Sequence, residues 1–220
     1  VEKLHAPSYY REYEALILKN IEAQNSHVNY YEIYQRIMDI LLTLIGLTIG
    51  IPLMIIFGLA IKLETPGSIF YSQERVGKDG KVFRVYKLRS MVSDAEKNGA
   101  QWAQKNDCRV TRVGAFIRKT RIDEIPQLFN VLIGDMSIIG PRPERPMFTV
   151  EFNNEIPGFV RRLQVRPGLT GWAQINGGYD ITPREKWELD MYYIENRSIQ
   201  MDLMIILKTI TVVLTGHGAR

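Results

Sequence analysis

Residues 40–61, ILLTLIGLTIGIPLMIIFGLAI, run for 22 positions without a charged side chain. As a helix they rise roughly 33 Å, which matches a bilayer core of about 30 Å. A core helix of a soluble domain usually shows a polar stripe, and here only two Thr and three Gly interrupt the apolar run. Membrane insertion is therefore the favoured reading over a buried soluble helix. A cleavable signal peptide fits poorly, because an acidic segment precedes the block and no small-residue cleavage pattern follows it. Pro52 sits at the centre, where it removes a backbone hydrogen bond and crowds the preceding turn, so a kink or break is predicted. Two topologies stay open: a kinked spanning helix, or a helix bent at Pro52 that enters and leaves by one face.

The charge lies outside this block and is uneven. Residues 1–39 carry a net −2, residues 62–150 a net +6 and residues 151–220 a net 0. The positive-inside tendency places the basic middle in the cytoplasm. Composition excludes a disordered chain and collagen-like repeats. A single cysteine, Cys108, excludes an internal disulfide framework and a zinc-finger cluster. The chain opens on Val1 rather than Met, which is compatible with further domains upstream.

The remainder alternates short elements. Residues 9–24 suit an amphipathic helix, and residues 68–91 read as strand, turn and strand around Asp79-Gly80. Residues 93–106 look helical and solvated. Residues 114–121 lead into a helix over 122–133, with Pro126 in its first turn and Gly134 at its end. Residues 144–154 suit a short helix, and residues 165–178 a glycine-dense loop. Thr182, Pro183 and Glu185 form a capping pattern for a helix over 183–195. Residues 201–214 read as an interfacial or buried amphipathic helix.

Chemistry concentrates between residues 109 and 124, RVTRVGAFIRKTRIDE. Five basic residues precede the adjacent carboxylates Asp123 and Glu124. Such a pair can cap a helix. It can also bind Mg²⁺ with substrate phosphates, or attack phosphorus, inside a cationic pocket where Arg118 neutralises phosphate. Lys87 and Arg89 form a second basic cluster, readable as a solvated strand end or as phosphate ligands. Pro141 and Pro143 restrict the backbone around Arg142, either as a structural turn or to aim the arginine. His5, His27 and His217 have no metal-ligand spacing, and no nucleotide-binding glycine fingerprint or nucleic-acid motif is present.

The segments 71–91, 112–146, 165–178 and 187–198, in order and behind the Pro52 block, together resemble the bacterial sugar transferases, or monotopic phosphoglycosyl transferases. The likeness is to the catalytic domain of a large exopolysaccharide-type member and covers residues 32–215. It implies an α+β, mostly helical fold. A Pro-bent re-entrant membrane helix and interfacial amphipathic helices would carry a cytoplasmic catalytic domain with a small β-hairpin. The implied division is an N-terminal polar helix and linker (1–36), a re-entrant helix (37–62) and a catalytic domain (63–220). One departure matters. The family bend is typically Ser-Pro, whereas here Ile51 precedes Pro52, so no hydroxyl is available for a freed carbonyl.

The resemblance further implies transfer of a phospho-sugar from a UDP-sugar to undecaprenyl phosphate with release of UMP. Asp123 would be the nucleophile, forming a phosphosugar-aspartyl intermediate. Glu124, with Asp123, would hold Mg²⁺, with Mn²⁺ as an alternative. Arg118 and the Pro141-Arg142-Pro143 frame would bind substrate, with Lys87 and Arg89 as further phosphate ligands. The implied partners are the UDP-sugar, undecaprenyl phosphate and membrane lipids, with no nucleic acid; a homo-oligomer stays open, because oligomeric state is not legible in the sequence. The implied location is the bacterial inner membrane. A non-catalytic membrane scaffold binding anionic lipid is the alternative, and the transferred sugar is not legible.

Overall fold

A computed structural model describes residues 8–20, 30–95, 97, 107–177 and 181–215. The three histidines, residues 21–24 and most of segment 93–106 lie outside them. Two helices come first, α1 (Ser8–Asn20) and α2 (Tyr30–Glu64). The hairpin β1 (Phe70–Val76) and β2 (Val82–Leu88) follows, then α3 (Arg112–Lys119), α4 (Gln127–Ile133), β3 (Ser137–Ile139) and α5 (Pro146–Glu155). The chain continues through β4 (Gly168–Thr170), α6 (Trp172–Asn176), α7 (Pro183–Asn196) and α8 (Ile199–Thr215). The architecture is mostly helical with a small antiparallel hairpin, as expected. β1 and β2 pair from Phe70 with Leu88 to Val76 with Val82. The turn places Asp79 at φ 54° and Gly80 at φ 75°, the left-handed region that an Asp-Gly pair tolerates. A second pairing, β3 parallel to β4, falls partly in the segment expected to be loop.

The helix α2 has 35 residues, a rise of about 52 Å, and is long and apolar enough to cross a membrane. It is not broken at Pro52, which lies inside it. Its buried residues are Asp39, Thr43, Leu47, Gly50, Met54, Gly58 and Ile61. Their steps of three and four trace one helical stripe through the proline. Leu47, Met54 and Ile61 join Leu88, Ile117 and Leu128 in the central core cluster. This packing on both sides of Pro52 keeps the helix continuous where local propensity alone predicts a kink or break. Gly50 permits the approach, because a Cβ there would stand 2.6 Å from Ile125 Cγ2. The opposite faces expose Leu44, Ile45, Ile49, Ile55, Ile56 and Leu59.

Both ends of α2 are tied to the same folded unit. Near its start, Arg36 donates to the carbonyls of Val131 and Leu132, at 2.6 and 2.7 Å, at the end of α4. Asp39 accepts from Ser137 Oγ and the Ile138 amide, at 2.9 and 2.8 Å. At its last residue, the Glu64 carboxylate accepts from the amides of Arg112 and Val113, at 2.8 and 3.0 Å, where α3 begins. These amides have no partner inside their own helix, so Glu64 satisfies them.

The helix α7 begins with the expected capping box, Thr182 and Glu185 exchanging bonds with each other's backbone amides. The start of α3 is fixed by Thr111, whose side chain accepts from Gly114 N at 2.9 Å. Gly114 also lets α3 lie directly on the main chain after β2, since a Cβ would come within 2.0 Å of the Ser90 carbonyl oxygen. Gly114→Ala is therefore expected to lower stability by about 1–3 kcal/mol, measured by thermal unfolding in detergent. Wild-type stability would show that this contact does not constrain α3.

Candidate active site

The sequence predicts a helix over 122–133 with the carboxylate pair at its start. The structure instead ends α3 at Lys119 and puts Arg121 in the left-handed region at φ 59°. Residues Ile122–Glu124 form their own 3-10 turn, and α4 starts only at Gln127, with Pro126 as its cap. The left-handed residue turns the chain back between the two helices. The turn carries Asp123 and Glu124 into the interior, 6% and 9% exposed. An ordinary surface helix cap would leave them solvated.

Lys87 reaches this turn from β2. Along the strand Phe83 and Val85 are buried, and period-two geometry puts Lys87 on their face. Asn130 of α4 fixes the register of strand and turn. Its Nδ2 donates to the Arg84 carbonyl at 2.7 Å and its Oδ1 accepts from the Tyr86 amide at 3.3 Å. Lys87 Nζ then lies 2.9 Å from Glu124 Oε1.

Arg142 reaches the turn from the opposite side, on a loop pinned at four successive carbonyls. Pro141 accepts from Gly168 N at 2.9 Å, Arg142 from Arg162 at 2.8 Å, Pro143 from Arg75 at 3.0 Å and Glu144 from Val76 N at 2.8 Å. From this frame the Arg142 guanidinium donates to both oxygens of Glu124. Arg118, on α3, donates from Nε to Ser90 Oγ at 2.7 Å and lies close enough to favour the charged form of Asp123.

The structure therefore gathers Lys87, Arg118, Asp123, Glu124 and Arg142 and frames the last with Pro141 and Pro143. It does not bring Arg89 to them. That guanidinium is buried against the Thr65 and Pro66 carbonyls and Ser93, where it ties the end of α2 to the hairpin. Residues behind the Arg142 loop were not picked out by sequence: Arg75, Glu144, Arg162, Lys186 and Asp190. Charged residues on separated elements show no spacing that announces their pairing.

The two adjacent carboxylates have opposite electrostatic fates. Burial would raise Glu124, but the Arg142 and Lys87 charges and the Arg142 hydrogen bonds outweigh it and hold Glu124 well below the usual range. Asp123 accepts no hydrogen bond among the described residues. Burial, helped by the neighbouring Glu124 charge, pushes it from its ordinary 3.8 up to about 6 against the pull of Lys87, Arg118 and Arg142. The result is one carboxylate held in its charged form beside another, without a hydrogen bond among the described residues, raised to about 6.

Comparison with known proteins places the chain. A family profile described as bacterial sugar transferase matches residues 30–216. The chain belongs to the bacterial sugar transferase family. It is 53% identical over 194 residues to an Aeromonas hydrophila UDP-N-acetylgalactosamine-undecaprenyl-phosphate N-acetylgalactosaminephosphotransferase, covering 86% of this chain and 46% of that protein. It is 41% identical over 182 residues to an Escherichia coli UDP-glucose:undecaprenyl-phosphate glucose-1-phosphate transferase, covering 80% and 39%. It is 39% identical over 196 residues to the Rhizobium leguminosarum exopolysaccharide production protein PSS, covering 84% and 98%. The chain thus spans less than half the length of the Aeromonas and Escherichia relatives and nearly all of the Rhizobium one.

Because its folded value is raised, Asp123 binds its proton more tightly in the folded chain than in the unfolded one. Stability from this group is complete below about pH 4 and is lost as pH climbs through about 6. Asp123→Asn is therefore expected to stabilise the fold at pH 7.5 by roughly 1–3 kcal/mol, with the gain vanishing near pH 4. Thermal unfolding across this range checks it, and a pH-independent difference would contradict the assignment.

Proposed function

We propose that this chain transfers a phospho-sugar from a UDP-sugar to undecaprenyl phosphate, releasing UMP, and so initiates exopolysaccharide, capsule or glycoconjugate synthesis. The observation that carries the reading is a buried Asp123 that accepts no hydrogen bond among the described residues, beside a Glu124 held ionised by Lys87 and Arg142. An Asp123 carboxylate oxygen attacks the β-phosphorus of the donor, and the bond from that phosphorus to the UMP oxygen breaks. An oxygen of undecaprenyl phosphate then attacks the phosphosugar-aspartyl ester, forming the polyprenyl diphosphate sugar and freeing Asp123. The phosphorus changes partners twice and the sugar carbons are untouched. Catalysis is thus positioning and charge neutralisation, the task for which Arg118, Arg142 and Lys87 are placed.

Mg²⁺ fits the donor set. It favours one or two carboxylates completed by substrate phosphates, and Asp123 and Glu124 supply the two. Among the described residues no group of three or more metal-ligating side chains gathers, so the ion is expected to bind with the diphosphate rather than before it. When bound it neutralises diphosphate charge, and Mn²⁺ suits the same ligands.

The relatives named above support undecaprenyl phosphate as acceptor. The 53% identity to the Aeromonas protein, against 41% to the glucose-transferring one, makes UDP-N-acetylgalactosamine the first donor to test. For the membrane, the two ends of α2 favour attachment from one face over a span. Arg36 and Glu64, near its two ends, bond the same folded unit, whereas a spanning helix would put its ends on opposite sides. Its exposed isoleucines and leucines would then lie in the cytoplasmic leaflet of the inner membrane, beside the lipid acceptor, with the catalytic residues facing the cytoplasm.

UMP release across a panel of UDP-sugars with undecaprenyl phosphate tests the reading. The expected result is release with one or a few donors, and loss to background with Asp123→Asn or a chelator. No release from any donor, with salt-sensitive binding to anionic vesicles, would favour the scaffold instead. Full release by the Asp123→Asn chain would contradict Asp123 as nucleophile.

A further inference from the structure

Behind the Arg142 loop lies a charged network with no part in the chemistry described above. Arg162, on the 3-10 segment Phe159–Gln164, is 2% exposed, and Asp190, on α7, is 1% exposed. Arg162 donates from Nε and Nη2 to Asp190 Oδ2, at 3.0 and 2.5 Å, and the same Nη2 donates to the main-chain carbonyl of Arg142 at 2.8 Å. Beside this pair, Glu144 binds Lys186 of α7 and lies 3.8 Å from Arg75, whose Nη1 donates to the Pro143 carbonyl. Lys186 and Asp190 are four residues apart, so they share one face of α7. A single capped helix thus delivers both charges to the back of one loop.

Stability alone does not account for the Arg162–Asp190 pair, since well-packed apolar residues often replace a buried ion pair without loss. Geometry gives it another use. A guanidinium has donors in a rigid fork, so one arginine bridging a carboxylate and a carbonyl fixes where that carbonyl sits. Here the carbonyl belongs to Arg142, whose own guanidinium meets Glu124 at the other end of the residue. We propose that Arg162 and Asp190 are positioning residues: Asp190 orients Arg162, Arg162 holds the Arg142 main chain, and α7 thereby sets the direction from which Arg142 reaches Glu124 and the donor diphosphate. This rests on Arg142 meeting that diphosphate, as proposed above.

A double-mutant cycle on the full chain in detergent tests it, read by UMP release, by UDP affinity in calorimetry and by thermal unfolding. The apolar exchange Arg162→Met with Asp190→Leu leaves no buried charge unpaired. It is expected to keep the thermal stability of the wild type while UMP release falls roughly 10- to 100-fold. In an Arg142→Ala background the same exchange is expected to cost nothing further, because its effect runs through Arg142. Full activity in the folded exchange, or an equal loss on top of Arg142→Ala, would overturn the proposal. Should the exchange not fold, Arg162→Lys, which keeps the charge and removes the fork, is read by the same criteria. If the wild type releases no UMP from any donor, the reading of function fails separately. The cycle is then judged on UDP affinity, where additivity would overturn the positioning role.

Discussion

The bonds from Lys87 and Arg142 to Glu124 are what the rest of the site depends on. Two adjacent carboxylates buried together would ordinarily share a proton, because like charges in a poorly solvated place resist joint ionisation. Here both cations make their hydrogen bonds to Glu124 while their charges also act on Asp123. Glu124 is stabilised as an anion, and Asp123 next to it accepts no hydrogen bond among the described residues and has a raised affinity for its proton. A group that costs stability when charged, yet is charged at neutral pH, is suited to forming a bond that disperses its charge. Strain of this kind is commonly found at sites of chemistry.

That arrangement draws on every part of the fold. Lys87 comes from a strand, Arg142 from a loop between β3 and α5, and the carboxylates from a 3-10 turn between α3 and α4. Asn130 registers strand against turn, and four carbonyl contacts register the loop. The helix α2 braces the assembly from the membrane side. Arg36 closes the end of α4, Gly50 seats Ile125 one residue after the carboxylates, and Glu64 starts α3. The long apolar helix and the turn carrying the carboxylates are thus mechanically joined.

Much of this was legible in the sequence where the determinants are local. The Asp79-Gly80 turn, the capping box at Thr182, the stop at Gly134 and the proline frame of Arg142 each depend on a few neighbouring residues. The apolar block was legible as apolar, but not as one-sided, because the domain packs on a stripe that includes Gly50 and Gly58. The 3-10 turn under Asp123 was missed because it hinges on Arg121 adopting a left-handed conformation, which its residue type does not favour. Arg89 read as a phosphate ligand from its place beside Lys87, yet the strand ends at Leu88 and its side chain turns to Thr65 and Pro66 instead. The Arg162–Asp190 pair spans 28 residues and was invisible for the same non-local reason.

As the proposed nucleophile, Asp123 would form a bond to phosphorus before the acceptor arrives. Mass spectrometry of the chain incubated with UDP-N-acetylgalactosamine and Mg²⁺, without acceptor, tests it most directly. The expected result is one equivalent of UMP per chain and a phosphosugar adduct on the peptide carrying Asp123, discharged when undecaprenyl phosphate is added. UMP release that waits for the acceptor, or an adduct on any other residue, would contradict it.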